Sequence, residues 1–185
     1  SGKAFFDVVP DENKPFAVVT NEVITRVVGT SFTVSAFAWE NDVEVAVVSG
    51  KVTVFKREGV NEELAASGGV MTPNQEFVYR KAEQKVLTTI VEEPQIIIPV
   101  EEAKRLRFEE TSSIEVFKEI ERVYGVEISV DEERFSECRI TTSISDGSIF
   151  SRLRIICEVI NATYRVEETR IIIEGEGCYS QDTLP

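Results

Sequence analysis

The residues best suited to chemistry are acidic and come in pairs: Glu62-Glu63, Glu92-Glu93, Glu109-Glu110 and Glu132-Glu133. Two carboxylates can divide acid and base roles or hold calcium. None of these pairs stands in a ligand-spaced loop, so they read as solvated surface. The usual companions of catalysis are missing. The chain has no His, which removes the commonest general base and metal ligand. A Ser nucleophile would then need a Lys, and no SxxK occurs. Cys138, Cys157 and Cys178 are scattered, with no CxxC to suggest zinc. Gly68-Gly69 is not followed by a helix and so forms no phosphate cradle. The expectation is a protein with no catalytic, cofactor-binding or metal site.

Composition bounds the rest. Of 185 residues, 42% are hydrophobic and 29% charged, as in a folded domain or two small ones. Net charge is −13. Up to Val91 the chain holds 9 basic and 12 acidic residues, or −3; the remainder holds 11 and 21, or −10. Such a surface repels phosphate, so nucleic acid is not expected as a partner. No apolar run approaches the roughly 20 residues of a membrane span. Ser1-Gly2-Lys3 lacks the progression of a signal peptide, and Ser-Gly has the form of a tag-cleavage remnant. The expectation is a fragment whose targeting segment lies upstream.

From 16 to 91 the hydrophobic period is two. Runs at 16–20, 22–28, 31–37, 43–48, 51–57, 70–71, 76–80 and 85–91 are rich in Val, Ile, Thr and Phe. Turn residues such as Gly29-Thr30 and Ser49-Gly50 punctuate them. Many short strands folding on themselves predict an all-β domain over 1–91, as a β-roll, solenoid or sandwich. Phe37 and Trp39 fall at a hairpin tip beside Asn41-Asp42. Core packing is the expected role for them, with an exposed aromatic contact as the alternative.

Residues 92–105 read as a linker, because Pro94 and Pro99 bracket Ile96-Ile97-Ile98. These isoleucines either pack as a connection or offer a partner-binding strand.

From 105 to 131 the pattern is strand, helix, strand. Leu106 and Phe108 alternate with charge, and Ser112 with Glu115 has capping-box spacing. Ile114, Phe117, Ile120 and Tyr124 recur at helical spacing, Gly125 stops the helix, and Val126, Ile128 and Val130 alternate again. A second strand at 139–144 leads through Ser145-Asp146-Gly147-Ser148 into another helix. Its apolar face is Ile149 or Phe150 with Leu153, Ile156, Cys157 and Ile160, and Asn161 closes it. A hairpin at 163–167 and 170–174 follows. The order βαβ-βαββ over 106–178 predicts a small α+β domain with its helices on one mixed sheet; 179–185 is a tail.

These patterns resemble a known family. The ordered steps VVGTSFTV, VEVAVVSGKVTVF and GGVMTPNQEFVYRK are similar to the extracytoplasmic β-domain of FecR-type anti-sigma regulators, matching at Gly29, Thr30, Phe32, Val34, Val45, Val47, Gly50, Val52, Val54, Pro73 and Gln75. Asn74 stands where that family usually has Gly; Asn also tolerates a left-handed backbone. LRFEETSSIEVFKEIERVYGVEI is similar to the FecR C-terminal domain of Bacteroidetes, itself like the short N-terminal (STN) signalling domain of secretins and TonB-dependent receptors. The match falls on Leu106, Phe108, Thr111, Glu115, Val116, Tyr124, Gly125, Val126 and Ile128. Ile114, Ile120 and Thr142 depart from it.

The resemblance implies a non-enzymatic periplasmic sensor of an inner-membrane single-pass anti-sigma factor. Its partner would be the signalling domain of an outer-membrane TonB-dependent transducer. An extracytoplasmic-function sigma factor would be held by a cytoplasmic domain that this sequence lacks, beyond an upstream membrane span. The strand Arg170, Ile171, Ile172, Ile173 and Glu174 is the candidate edge for adding a partner strand. A periplasmic setting permits disulfides. The three cysteines allow three single bridges, each leaving one thiol. Cys157 reads as a small core residue beside Leu153 and Ile160. Cys138 and Cys178 would meet if their strands were antiparallel neighbours, so the alternatives are that bridge or none. The competing functional reading is a structural or carbohydrate-binding β-domain with an α+β adaptor.

Overall fold

A computed structural model of the chain describes residues 1–57, 69–104, 106–143 and 148–178. Glu62-Glu63, Gly68, Ile144, Ser145-Asp146-Gly147 and the tail 179–185 lie outside the described residues. The chain divides into two compact units, Ser1–Val91 and Glu92–Pro185.

In the first unit, alternating residues build β1 (Gly2–Asp7), β2 (Phe16–Val19), β3 (Val23–Val27), β4 (Ser31–Ala36), β5 (Asp42–Ser49), β6 (Val52–Lys56), β7 (Gly69–Met71), β8 (Gln75–Arg80) and β9 (Lys85–Ile90). They form a five-stranded sheet, β1-β4-β5-β8-β9, and a four-stranded one, β2-β3-β6-β7. Both sheets give residues to one core: Phe32, Val45 and Phe77 from the larger, Val23, Val54 and Met71 from the smaller. Of the expected architectures this is the sandwich.

The family-like steps in this unit mark where the chain crosses from sheet to sheet. Gly29-Thr30 joins β3 to β4, Gly50 joins β5 to β6, and Pro73-Asn74 joins β7 to β8. Gly29 has φ 96°, and a Cβ there would lie 2.5 Å from the Pro10 Cα. Asn74 takes φ 66°, the left-handed turn that its side chain tolerates. The Thr30 hydroxyl donates to the Lys51 carbonyl at 2.9 Å, tying two crossings together.

The strand β1 is an addition to the sequence reading. It pairs antiparallel with β4 from Gly2↔Ala36 to Asp7↔Ser31. Trp39 is a correction: it is 77% exposed, stacked at a tilt on Phe37 with centroids 4.9 Å apart. The hairpin tip lies beyond the reach of the sandwich core.

The second unit contains α1 (Val100–Ala103), β10 (Arg107–Ser112), α2 (Ser113–Tyr124), β11 (Glu127–Ser129), α3 (Glu132–Phe135), β12 (Arg139–Ser143), α4 (Ile149–Val159), β13 (Ala162–Glu167) and β14 (Arg170–Gly175). Segment 92–99 is part of this unit: the Ile97 amide donates to the Val123 carbonyl at 2.9 Å. The Ile97 Cδ1 sits 2.7 Å from where a Gly125 Cβ would be. Gly125, at φ 64°, ends α2 as expected.

Three details differ from expectation. The helices do not lie on one mixed sheet, because the strands form two separate sheets, β10-β12 and β11-β14-β13. Ser112 makes no capping bond; its hydroxyl donates to the Ser136 carbonyl at 3.4 Å, while Ser113 Oγ donates to the Phe135 carbonyl at 2.7 Å. Finally, Asp131 starts the additional helix α3, accepting from the Glu133 and Arg134 amides, and seats Phe135 in the core.

Candidate functional site

Arg170 to Glu174 lie on β14, and that strand is central. It pairs parallel with β11 on one side and antiparallel with β13 on the other. Both rows of its backbone groups are therefore engaged, and the expected role as a free edge is corrected.

The alternation of β14 sorts its residues by face. Ile171 and Ile173 are buried against the core, while Arg170 and Glu174 are exposed and Ile172 is half-buried on the outer face. Around Ile172 the outer face is a lattice of exposed ion pairs. Arg165 on β13 reaches Glu167 at 2.5 Å and Glu174 at 3.1 Å. These two carboxylates, Glu167 first, raise the Arg165 pKa. Arg170 lies 4.0 Å from Glu127 on β11. Exposed pairs of this kind contribute little stability but give the face a fixed charge pattern.

The free edges of this sheet are β11 and β13. On β11 the Ile128 amide donates to Glu121 Oε1 at 2.6 Å, so a carboxylate from α2 already occupies it. A shallow groove of about 340 Å³ beside it is lined by Phe117, Lys118, Glu121, Glu127 and Ile128 among others. On β13, Tyr164 and Val166 face inward opposite Ile173 and Ile171. The Tyr164 hydroxyl donates to the Phe150 carbonyl at 3.3 Å and its ring stacks on Phe150.

Cys138 and Cys178 are joined by a disulfide with Cα atoms 5.1 Å apart. The premise for expecting them together does not hold: β12 and β14 belong to different sheets. The bridge instead ties the segment after β14 to the start of β12. Nearby, Arg134 Nη1 donates to the Gly175 carbonyl at 3.3 Å, and a Cβ on Gly177 would lie 2.2 Å from the Arg134 carbonyl oxygen. The third cysteine, Cys157, is a buried free thiol whose pKa burial pushes up to about 11.

The acid pairs that are described, Glu92-Glu93, Glu109-Glu110 and Glu132-Glu133, are all exposed. No group of three His, Cys, Asp or Glu among the described residues could hold a metal ion. Glu119 and Glu102 instead hold Arg122, whose pKa their hydrogen bonds raise. No helix among the described residues is long and apolar enough to cross a membrane.

Comparison with known proteins follows this division. Residues 1–53 match the model of the FecR protein family, and residues 105–173 match that of the FecR C-terminal region. No curated protein matches the chain. Two crystal structures of a candidate anti-sigma factor from Parabacteroides distasonis are similar at 28% identity, covering 94% of this chain and 77% of that one, with a TM-score of 0.44. With both FecR models met in order along its length, the chain belongs to the FecR family of anti-sigma factors, a regulatory and non-enzymatic family.

Proposed function

We propose that this chain is the periplasmic sensing portion of a membrane-anchored anti-sigma factor. It receives its signal by contact with the signalling domain of an outer-membrane TonB-dependent transducer. The sigma factor is bound by a cytoplasmic domain outside this sequence. The observation that carries this reading is the ordered pairing of FecR and FecR C-terminal regions in one chain. The Cys138–Cys178 bridge supports an oxidising compartment, where disulfides persist. The net charge of −13 favours protein over nucleic acid as the contacted surface.

The test is binding of this chain to each signalling domain of the TonB-dependent receptors from the same genome, by pull-down and calorimetry. Saturable binding to at least one is the expected result. Absence of binding to every one at high micromolar concentration overturns the proposal.

A further inference from the structure

We propose that the free edge of β13 is the line along which that signalling domain docks, by adding an extended strand to the three-stranded sheet; this rests on the functional reading above. Among the described strands of the second unit four edges are free, and two of them are blunted. Strand β11 has three residues, and its Ile128 amide is already bonded by Glu121. In β10 the register shifts between Phe108 and Thr111, with Glu110 at φ 48°. Strand β12 is intact, but neither it nor β10 carries an exposed large apolar side chain. Short length, bulges and side-chain covers are the usual ways of keeping an edge from pairing.

Strand β13 is neither short nor bulged. It runs six residues in unbroken register with β14. Val166 lies on its inner face, opposite the fully buried Ile171, yet is 40% exposed. Among the described strands of this unit it is the only large apolar side chain so open. Its exposure has a simple cause: the sheet stops there, and no further strand covers it. An added strand whose inward residue is apolar would cover Val166 and continue the face formed by Tyr164 and Phe150.

Charge narrows the occupant. The hairpin carries Glu167, Glu168 and Glu174 against Arg165 and Arg170, and Arg165 is already held by Glu167 and Glu174. Glu167 and Glu174 are thereby engaged as well, so the arriving segment is an alternating strand with an apolar residue toward Val166 and a Lys or Arg toward Glu168. Main-chain bonds would supply affinity and these two positions selectivity.

The experiment uses the full chain and the same panel of receptor signalling domains. Val166→Lys places an inward-pointing charge at the edge, a device that blocks strand addition. At a position already this open, the ammonium reaches water and the fold persists, which thermal melting checks. Its affinity for the bound domain is expected to fall at least about tenfold, whereas Ser129→Lys at the β11 edge leaves affinity unchanged. Should Val166→Lys fail to fold, Glu168→Lys at the hairpin turn repels the basic residue and is expected to lower affinity in the same way. Independently, amide hydrogen exchange of the wild type is expected to slow along β13 on complex formation.

Unchanged affinity in the folded Val166 and Glu168 variants, or protection gained elsewhere and not on β13, overturns the inference while the functional reading stands. Loss of self-association with unchanged receptor affinity makes the occupant a second copy, and overturns it too. If the wild type binds no signalling domain, both fall together.

Discussion

In the first unit, two sheets face each other across one continuous core built mostly of valines on alternating positions. In the second, a two-stranded and a three-stranded sheet are separate, and the two-stranded one alone is too small to be stable in water. The first unit contains no cysteine; the second contains all three. A sandwich closes its core by the period-two pattern alone, and its crossings need only turn residues. The α+β unit must join separate pieces, and it does so with helix faces, a disulfide and hydroxyls bonded inside. The unit at the acidic end of the chain is thus also the one that depends on an oxidised cysteine pair.

The largest test of that contrast is Phe32→Ala. Phe32 is fully buried at the centre of the sandwich and stacks on Phe6 at 5.2 Å. Its removal should cost about 3–5 kcal/mol in chemical denaturation, a large share of the stability of a domain this size. The loss should appear in the first unit's transition and leave the second's in place. A matching loss in both transitions would mean the units unfold as one.

Reducing Cys138–Cys178 is next and should act the other way round. The bridge spans 40 residues in sequence. Closing a loop of that length is worth about 4 kcal/mol in the chain-entropy account, with native strain subtracting from it. Dithiothreitol should therefore lower the denaturation midpoint of the second unit only. Thiol counting on unreduced, unfolded protein should find one free group, that of Cys157. Three free groups would remove the staple from the comparison.

Ser113→Ala tests the polar part of the same joint at smaller scale. Ser113 is fully buried and its hydroxyl donates to the Phe135 carbonyl. The Phe135 carbonyl keeps the Cys138 amide as a second donor at 3.1 Å, so one hydrogen bond is lost without orphaning the acceptor, and a cost of about 0.5–1.5 kcal/mol is expected in the second transition. Cys157 gives a pH test. Its folded pKa is raised to about 11 from an ordinary 9.0, by burial. A raised value means the thiol favours folding fully below pH 9 and loses that contribution as pH climbs toward 11. The second transition should weaken across that window in the wild type and less in Cys157→Ala.

Much of the first unit was legible because alternation is a local signal: every strand from β2 to β9 falls on a run read from the sequence. Strand β1 was missed because most of its residues are exposed, so its apolar pattern is weak and its pairing with β4 supplies the order. In the second unit the helices and their buried faces were legible from period 3.6 and from Gly125. Sheet partition was not, since which strands pair at long range in sequence leaves no local trace, as β10 with β12 shows. Placing Arg170 to Glu174 at an edge followed from that gap. The three isoleucines report burial and not which edges are paired, and Val166, apolar in an otherwise polar run, marks the neighbouring strand as the one with something left to cover. Helix α3 was announced by Asp131 before Glu132-Glu133, a cap with an acidic first turn, but four residues are too few for a period to show.

Trp39→Ala carries the smallest expected effect on stability and separates the units most sharply in function. At 77% exposure the indole contributes little buried area, and its tilted contact with Phe37 is worth about 0.5–1.5 kcal/mol at most. The stability change should therefore stay under about 1 kcal/mol. If docking is confined to the β13 edge, affinity for the transducer's signalling domain should also be unchanged. A drop in affinity with stability intact would place the β4–β5 hairpin tip in the interface as a second aromatic anchor. The first unit would then be a contact surface in its own right, and the division of labour between a self-sufficient sandwich and a partner-reading α+β unit would give way to a shared interface.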